Sequence, residues 1–252
     1  MPVLLMETAA TPAVEFDAVS FAHPGGGEVL RAVSFACRAG ETVALVGRSG
    51  AGKTTLLKMV NRLLEPTRGA VRVQGRETRS WDAIRLRRST GYVMQDAGLF
   101  PHMTVAENVA TLPRLERWSD ARTEQRVHQL LTLVGLDAAH YASRRPAELS
   151  GGQRQRVGLA RALAIDPPVL LMDEPFGALD PTTRREVRRA FIDLQRQLAT
   201  TTLVVTHDLR EACLMADRVA VLEAGALVAI APPDELQASD DARIRSLFED
   251  VP

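Results

Sequence analysis

Cysteine is scarce, net charge is absent and no apolar run is long. Cys37 and Cys213 are the two thiols in 252 residues. They lie far apart in sequence without metal-ligand spacing, which argues against a disulfide framework and for two buried thiols in a reducing compartment. Lys plus Arg number 31, as do Asp plus Glu. Such a balanced chain lacks the electrostatic footprint of a nucleic-acid binder, so no nucleic acid is expected as a partner. No apolar stretch approaches the roughly 18 residues needed to span a bilayer. The first residues, Met1-Pro2-Val3-Leu4-Leu5-Met6-Glu7, have neither the basic segment nor the long apolar segment of a secretory signal. A soluble, cytoplasmic protein is expected, one that meets a membrane only through a partner. Internal repeats and low-complexity tracts are missing too. What is present is ordinary for a globular chain: 46% hydrophobic and 25% charged residues, with length enough for one large domain or two modest ones.

One stretch stands out against this background: Gly47-Arg48-Ser49-Gly50-Ala51-Gly52-Lys53-Thr54-Thr55. It follows a β-prone run at 41–46 and precedes a helix-like run at 56–64. Strand, glycine-rich turn and helix form the context in which G-x-x-x-x-G-K-[ST] becomes a phosphate site, or P-loop. Backbone N–H groups of the turn converge on phosphate oxygens, and the helix N-terminus adds its partial positive charge. Lys53 is expected on the β- and γ-phosphates and the Thr54 hydroxyl on Mg²⁺.

Strands are predicted over Val14 to Phe21, Val29 to Phe35, 41–46, 70–73 and Thr90 to Met94, with turns at 24–27 and Arg68-Gly69 and a short basic helix at 81–88. Residues 1–12 read as a loose leader. From about 96 to 162 the periodicity is helical, clearest where Val127, Leu130, Leu131 and Val134 fall on one face. The continuous apolar run Val169-Leu170-Leu171-Met172 reads as a strand buried on both faces of a parallel sheet. Asp180-Pro181 caps a helix running to about Leu198. A strand at 202–206, a helix at 209–216 and a hairpin of 218–222 with 226–230 around Ala224-Gly225 follow, and short helices occur from Pro232 onward.

Hydrolysis needs more than a P-loop. Asp173, ending the 169–172 strand, suits Mg²⁺, and the adjacent Glu174 is placed to orient or deprotonate an attacking water. His207, at the end of 202–206, could contact the γ-phosphate and help position Glu174 and water. Gln95, at another strand end, could contact Mg²⁺ and water. Leu149-Ser150-Gly151-Gly152-Gln153 opens a helix predicted over Arg154 to Ala164, so Ser150 and the glycine N–H groups offer a second anion site. Two phosphate-binding helix starts beside one P-loop are used most simply between two subunits, each completing the other's site.

In this order, the P-loop at 47–54, Gln95, Leu149 to Gln153, Asp173-Glu174, Ala178-Leu179-Asp180 and His207 resemble ATP-binding-cassette (ABC) ATPases over residues 14–238. The resemblance implies an α/β fold: a P-loop NTPase (ABC ATPase) core with an N-terminal antiparallel β subdomain and an inserted α-helical subdomain. It places one nucleotide-binding domain over 1–252, with the core at about 13–95 and 163–238, the helical signature subdomain at about 96–162 and a tail at 239–252. It also implies a head-to-tail dimer with two ATPs sandwiched between P-loop and signature, and Asp180 coupling the two sites. The position that usually stacks an aromatic residue on adenine is occupied by His23, with Phe21 two residues earlier; imidazole offers less stacking area.

Residues 95–109 resemble the part of importer ATPases that receives a coupling helix from a transmembrane permease subunit, with Phe100, Met103 and Val105 as candidate groove or core residues. The continuation Ala110-Thr111-Leu112-Pro113-Arg114-Leu115-Glu116-Arg117-Trp118 resembles importers of quaternary-amine osmoprotectants such as glycine betaine and choline. A peripheral subunit on the cytoplasmic face of the cell membrane is thereby expected, working with a permease and a substrate-binding protein. A C-terminal regulatory module is not expected in this chain. The alternatives are transport of another cargo (amino acid, phosphate or lipid), a soluble ABC ATPase of DNA repair or translation, and a P-loop kinase.

Overall fold

The computed structural model describes residues 11–177, 179–195, 197–198 and 200–249. Most of the expected leader, Ala178 and the last three residues lie outside the described residues.

The chain opens with β1 (Val14–Ala22) and β2 (Glu28–Cys37), an antiparallel pair, and then enters β3 (Thr42–Val46) and α1 (Lys53–Val60). Next come β4 (Arg68–Val73), the short β5 (Arg76–Glu77), α2 (Ala83–Arg88) and β6 (Thr90–Val93). Four helices follow without an intervening strand: α3 (Val105–Leu115), α4 (Asp120–Leu133), α5 (Ala138–Tyr141) and α6 (Gly151–Ala162). The remainder alternates β7 (Val169–Asp173), α7 (Pro181–Gln195), β8 (Thr201–Val205) and α8 (Leu209–Met215). The hairpin β9 (Arg218–Glu223) and β10 (Ala226–Ala231) leads to α9 (Pro233–Gln237) and α10 (Ala242–Glu249).

Two sheets result. A four-stranded sheet has the order β2-β1-β4-β5, and a six-stranded sheet has the order β10-β9-β3-β8-β7-β6, parallel except for its β10 edge. The central strands β3 and β8 are buried at every residue, which is why they read as unbroken apolar or threonine runs. Their alternate side chains feed two cores. Val43, Leu45, Leu171, Leu203 and Val205 face α1 and the antiparallel sheet. Ala44, Val46, Leu170, Met172 and Val204 face the core that also contains the α3, α4 and α6 side chains. The predicted helical stripe lies in that second core: Val127, Leu130, Leu131 and Val134 are each 4% exposed or less.

Several boundaries differ from the sequence expectation. The P-loop helix starts at Lys53, not 56, because Gly52 adopts a left-handed φ of 96° and turns the chain directly into it. It ends at Val60, where Arg62 at φ 54° breaks the helix. Gly69 lies within β4 rather than in a turn: a Cβ there would sit 2.3 Å from the Ala18 carbonyl oxygen, so glycine permits β4 to pass the bulge in β1. The signature helix begins at Gly151, three residues before the expected start, through a capping box between Ser150 and Gln153. The expected hairpin turn is present, with Ala224 and Gly225 at φ 47° and 82° as a type I′ turn requires.

Candidate functional site

The parallel strands β3, β8, β7 and β6 are neighbours and end on one edge of the sheet. Each delivers a predicted residue there: the P-loop after β3, His207 after β8, Asp173 and Glu174 at the end of β7, and Gln95 just beyond β6. A cleft of about 430 Å³ on this edge is lined by Ser49 to Thr55, Gln95, Glu174 and His207. Ligand clefts form at this position because loops diverge where strand connections change direction.

The P-loop has a geometry only glycine permits at its first position. Gly47 has φ 147°, and a Cβ there would lie 2.1 Å from the Leu222 carbonyl oxygen. Arg48 and Ser49 are exposed at its tip, whereas Ala51 and Gly52 are buried beneath it. The Lys53 ammonium donates to the carbonyl oxygens of Gly47 at 2.6 Å and Arg48 at 3.1 Å. Burial pushes the Lys53 ammonium below its ordinary value, and the carboxylates of Glu174 and Asp173 act against that shift. A buried cation held by its own loop is poised to exchange carbonyls for phosphate oxygens.

The Thr54 hydroxyl donates to Asp173 Oδ1 at 2.9 Å. Beside Asp173 lies Tyr92 of the adjacent β6; burial first, then the Asp173 charge, pushes this phenol up to about 12. It therefore remains a proton donor at neutral pH. Sequence reading missed Tyr92, although the alternation of the 90–94 strand was the available signal. Glu174 sits at φ 48°, a left-handed backbone rare for a side chain of this size. Its N–H donates to the Val205 carbonyl at 2.9 Å, tying the ends of β7 and β8 together. Its Oε2 lies 2.7 Å from His207 Nδ1, although the His207 side chain is 66% exposed. Facing an ionised carboxylate, that nitrogen is the donor.

Thr54 and Asp173, with Gln95 lining the same cleft, supply hard oxygen donors and no thiolate or imidazole cluster. Among the described residues, no group of three or more His, Cys, Asp or Glu is arranged around a common metal position. This donor set fits Mg²⁺, a cation normally held by one or two protein oxygens together with phosphate and water.

Three predicted features do not line the cleft. Ser150 and Gln153 close a reciprocal cap, Gln153 N to Ser150 Oγ at 3.3 Å and Ser150 N to Gln153 Oε1 at 2.9 Å. Gly151 and Gly152 form the first turn of α6, and a Cβ on Gly152 would meet Thr183 Cγ2 at 2.1 Å. Asp180 caps α7, accepting from Thr182 N at 3.2 Å and Thr183 N at 3.1 Å; the bonds from Thr183 hold its carboxyl below the usual range. His23 is exposed and meets the ring of Phe21 edge-on, with centroids 4.9 Å apart.

On the helical subdomain a second cavity is lined by His102, Met103, Glu107, Thr111, Arg114 and Leu115. Phe100 and Leu115 are 41% and 52% exposed. Val105 is fully buried and belongs to the core instead.

The ABC transporter family model matches residues 30–177. The osmoprotectant import ATP-binding protein OsmV of Salmonella typhimurium is 51% identical over 79% of this chain and 52% of its own length. The glycine betaine/carnitine/choline transport ATP-binding protein OpuCA of Bacillus subtilis is 44% identical over 88% of this chain and 58% of its own. The Fe(3+) ions import ATP-binding protein FbpC 1 of Rhodococcus jostii is 49% identical over 90% and 64%. The chain thus spans about half the length of the first two of these curated relatives. Among solved structures, a dimeric ATP-binding cassette in a post-hydrolysis state with ADP and Pi superposes with a TM-score of 0.77 at 32% identity, covering 87% of this chain and 98% of that one. With the P-loop, the strand-end carboxylates and the capped Ser150 helix all in place, the chain belongs to the ABC transporter family.

Proposed function

We propose that this chain is the ATP-binding and ATP-hydrolysing subunit of an ABC importer, closing head-to-tail around two Mg²⁺-ATP to drive uptake of a quaternary-amine osmoprotectant such as glycine betaine or choline. The observation that carries the hydrolytic part is the contact of Glu174 with His207 at 2.7 Å, beside a P-loop lysine in the same cleft. Backbone N–H groups of Gly50 to Thr55 and the Lys53 ammonium bind the phosphates. Asp173, Thr54 and Gln95 would hold Mg²⁺, which when bound neutralises phosphate charge. Glu174 accepts the proton of the attacking water, and His207 orients that carboxylate through Nδ1; only as the doubly protonated imidazolium does the ring also donate, from Nε2, to a phosphate oxygen.

The separation of Ser150–Gln153 from the cleft supports a site completed by a second copy, with Asp180 near the seam. In that closed dimer the first-turn N–H groups of α6 meet the other copy's γ-phosphate. His23 stacks on adenine. The cavity around Met103 and Leu115, with Phe100 exposed nearby, accepts the transmembrane permease, which works with a substrate-binding protein. No helix among the described residues is long and apolar enough to cross a membrane. A peripheral position on the cytoplasmic face therefore depends on the permease.

The names of two relatives and the 110–118 stretch support the cargo. A second reading, iron import, has support from the 49% identity to the Rhodococcus protein. Uptake of labelled glycine betaine, choline and ferric iron, in cells lacking redundant carriers and carrying wild-type or Glu174→Gln protein, tests both. Selective loss of quaternary-amine uptake is expected; loss of iron uptake alone replaces the cargo.

A further inference from the structure

Ser150 and Asp180, the two features that face the other copy in the proposed dimer, sit at the starts of α6 and α7. Within one chain those two starts pack on each other. Glycine is a poor helix residue, second only to proline, yet α6 opens with two of them. They are not equivalent. A Cβ on Gly151 would meet Leu179 Cδ2 at 3.6 Å, an ordinary contact. Gly152 is buried, and a Cβ there would overlap the Thr183 Cγ2 methyl and lie 3.6 Å from Val187 Cγ2. Val187 is itself 3% exposed, so an added methyl has to displace Thr183 or the whole of α7.

Thr183 is also part of the Asp180 cap. Its N–H donates to Asp180 Oδ1 at 3.1 Å, and Thr182 N donates to the same oxygen at 3.2 Å. The loop leading into this cap is fastened to the same helix, because Arg184 Nη2 donates to the Leu179 carbonyl oxygen at 3.1 Å. One threonine thus presents its methyl to the signature helix and its backbone to Asp180. The ion pair along the same seam, Arg156 to Glu186 at 3.7 Å, does not set the spacing: Glu186 is 64% exposed, and such pairs contribute little. The steric contact decides it.

We infer that Gly152 is glycine for the sake of Thr183, and that Thr183 is a positioning residue which sets the spacing between the Ser150 start of α6 and the Asp180 cap of α7. The two features then meet the other copy's nucleotide as one preset pair, a consequence that rests on the proposed dimeric ATPase. A glycine needed only so that phosphate can approach its N–H would leave the Thr183 methyl irrelevant.

Gly152→Ala, Thr183→Ser and the double variant separate these causes. Serine keeps the hydroxyl and the capping N–H and removes only the methyl. Gly152→Ala is expected to lower Tm by about 3–10 °C, as overpacking does, whereas Gly151→Ala leaves Tm unchanged or raises it through helix propensity. Gly152→Ala should also lower kcat for ATP hydrolysis by about 10- to 100-fold. Its ATP affinity as a monomer should stay within about twofold of wild type, because no residue of 150–153 lines the P-loop cleft. Adding Thr183→Ser should return most of both losses. A Tm for Gly152→Ala equal to that of wild type would overturn the contact. Recovery of Tm without recovery of kcat would overturn the assignment as well, since the glycine would then serve the nucleotide itself. If Gly152→Ala does not fold, the double variant decides: folded and active supports the pairing, unfolded or inactive overturns it. A wild-type chain that hydrolyses no ATP refutes the functional reading instead, and the Tm comparison still decides the contact.

Discussion

Glu174 is held in a left-handed backbone between its hydrogen bonds to Val205 and His207, so its carboxylate is aimed before any substrate arrives. Glu174→Gln keeps the shape but accepts no proton. It should lower steady-state hydrolysis by at least about 100-fold, the usual span of a general base, with nucleotide binding retained; phosphate release and equilibrium binding measure the two halves. Tyr92→Phe removes a hydroxyl beside Asp173, whose Oδ1 already accepts from Thr54. A hydroxyl in this place is worth about 1 kcal/mol, so the Mg²⁺ concentration for half-maximal hydrolysis should rise about fivefold while metal-free ATP affinity holds. The Tyr92 role was illegible because it depends on which strand lies beside β7, whereas Lys53, Thr54, Asp173 and Glu174 announce themselves through local spacing. His207 was visible as a strand end and in the order of the motifs, with a role beside Glu174 expected, but which ring nitrogen faces that carboxylate had no sequence signal. His23 is exposed and contacts Phe21, without lining the cleft.

Elements were legible wherever their signals were local. Period-2 patterning located β1 and β4, the apolar run located β7, and Asp180-Pro181 located the start of α7. The short β5 escaped because two residues carry no period. Helix α3 was absorbed into a general helical region: its cap at Thr104 and Glu107 is clear, but Pro113 near its end obscures the pattern. Asn108 is fully buried; its Oδ1 accepts from Phe100 N at 2.8 Å, and its Nδ2 donates to Phe100 O at 3.1 Å and Thr104 O at 2.9 Å. Its importance comes from the path of the 100–104 loop, which no periodicity encodes. Asn108→Ala strands several buried loop groups and should cost about 2–3 kcal/mol, read by denaturant unfolding and by faster amide exchange in 100–104.

Helix α8 contains Glu211, 3% exposed, with Thr206 donating to Oε2 at 3.2 Å and Arg184 and Arg188 at 3.9 and 4.0 Å from Oε1. Burial raises its carboxyl above the ordinary value, and Asp208 adds to the shift against Thr206 and the two arginines. The native state therefore holds this proton more tightly than the unfolded chain. The associated stability is present below the ordinary carboxylate range and is lost as pH rises through the raised value. Relative to Glu211→Gln, wild-type Tm should fall across that interval; a difference that does not vary with pH would remove Glu211 as the source.

At the scale of the whole molecule, one parallel sheet separates two cores, and its strand ends gather residues that lie far apart in sequence. Its architecture could be anticipated because P-loop, signature and strand-end carboxylates occur in a fixed order; the seat of the signature away from the cleft required the three-dimensional arrangement. That separation is why a dimer is proposed: the P-loop cleft and the Ser150 helix start of one chain lie apart. The most direct measurement is the mass of Glu174→Gln protein in solution by light scattering, with and without Mg²⁺-ATP. A monomer that doubles in mass only with ATP is expected, with no doubling once Lys53→Ala or Ser150→Arg is added. A chain that binds ATP yet stays monomeric across the accessible protein concentrations contradicts the shared site.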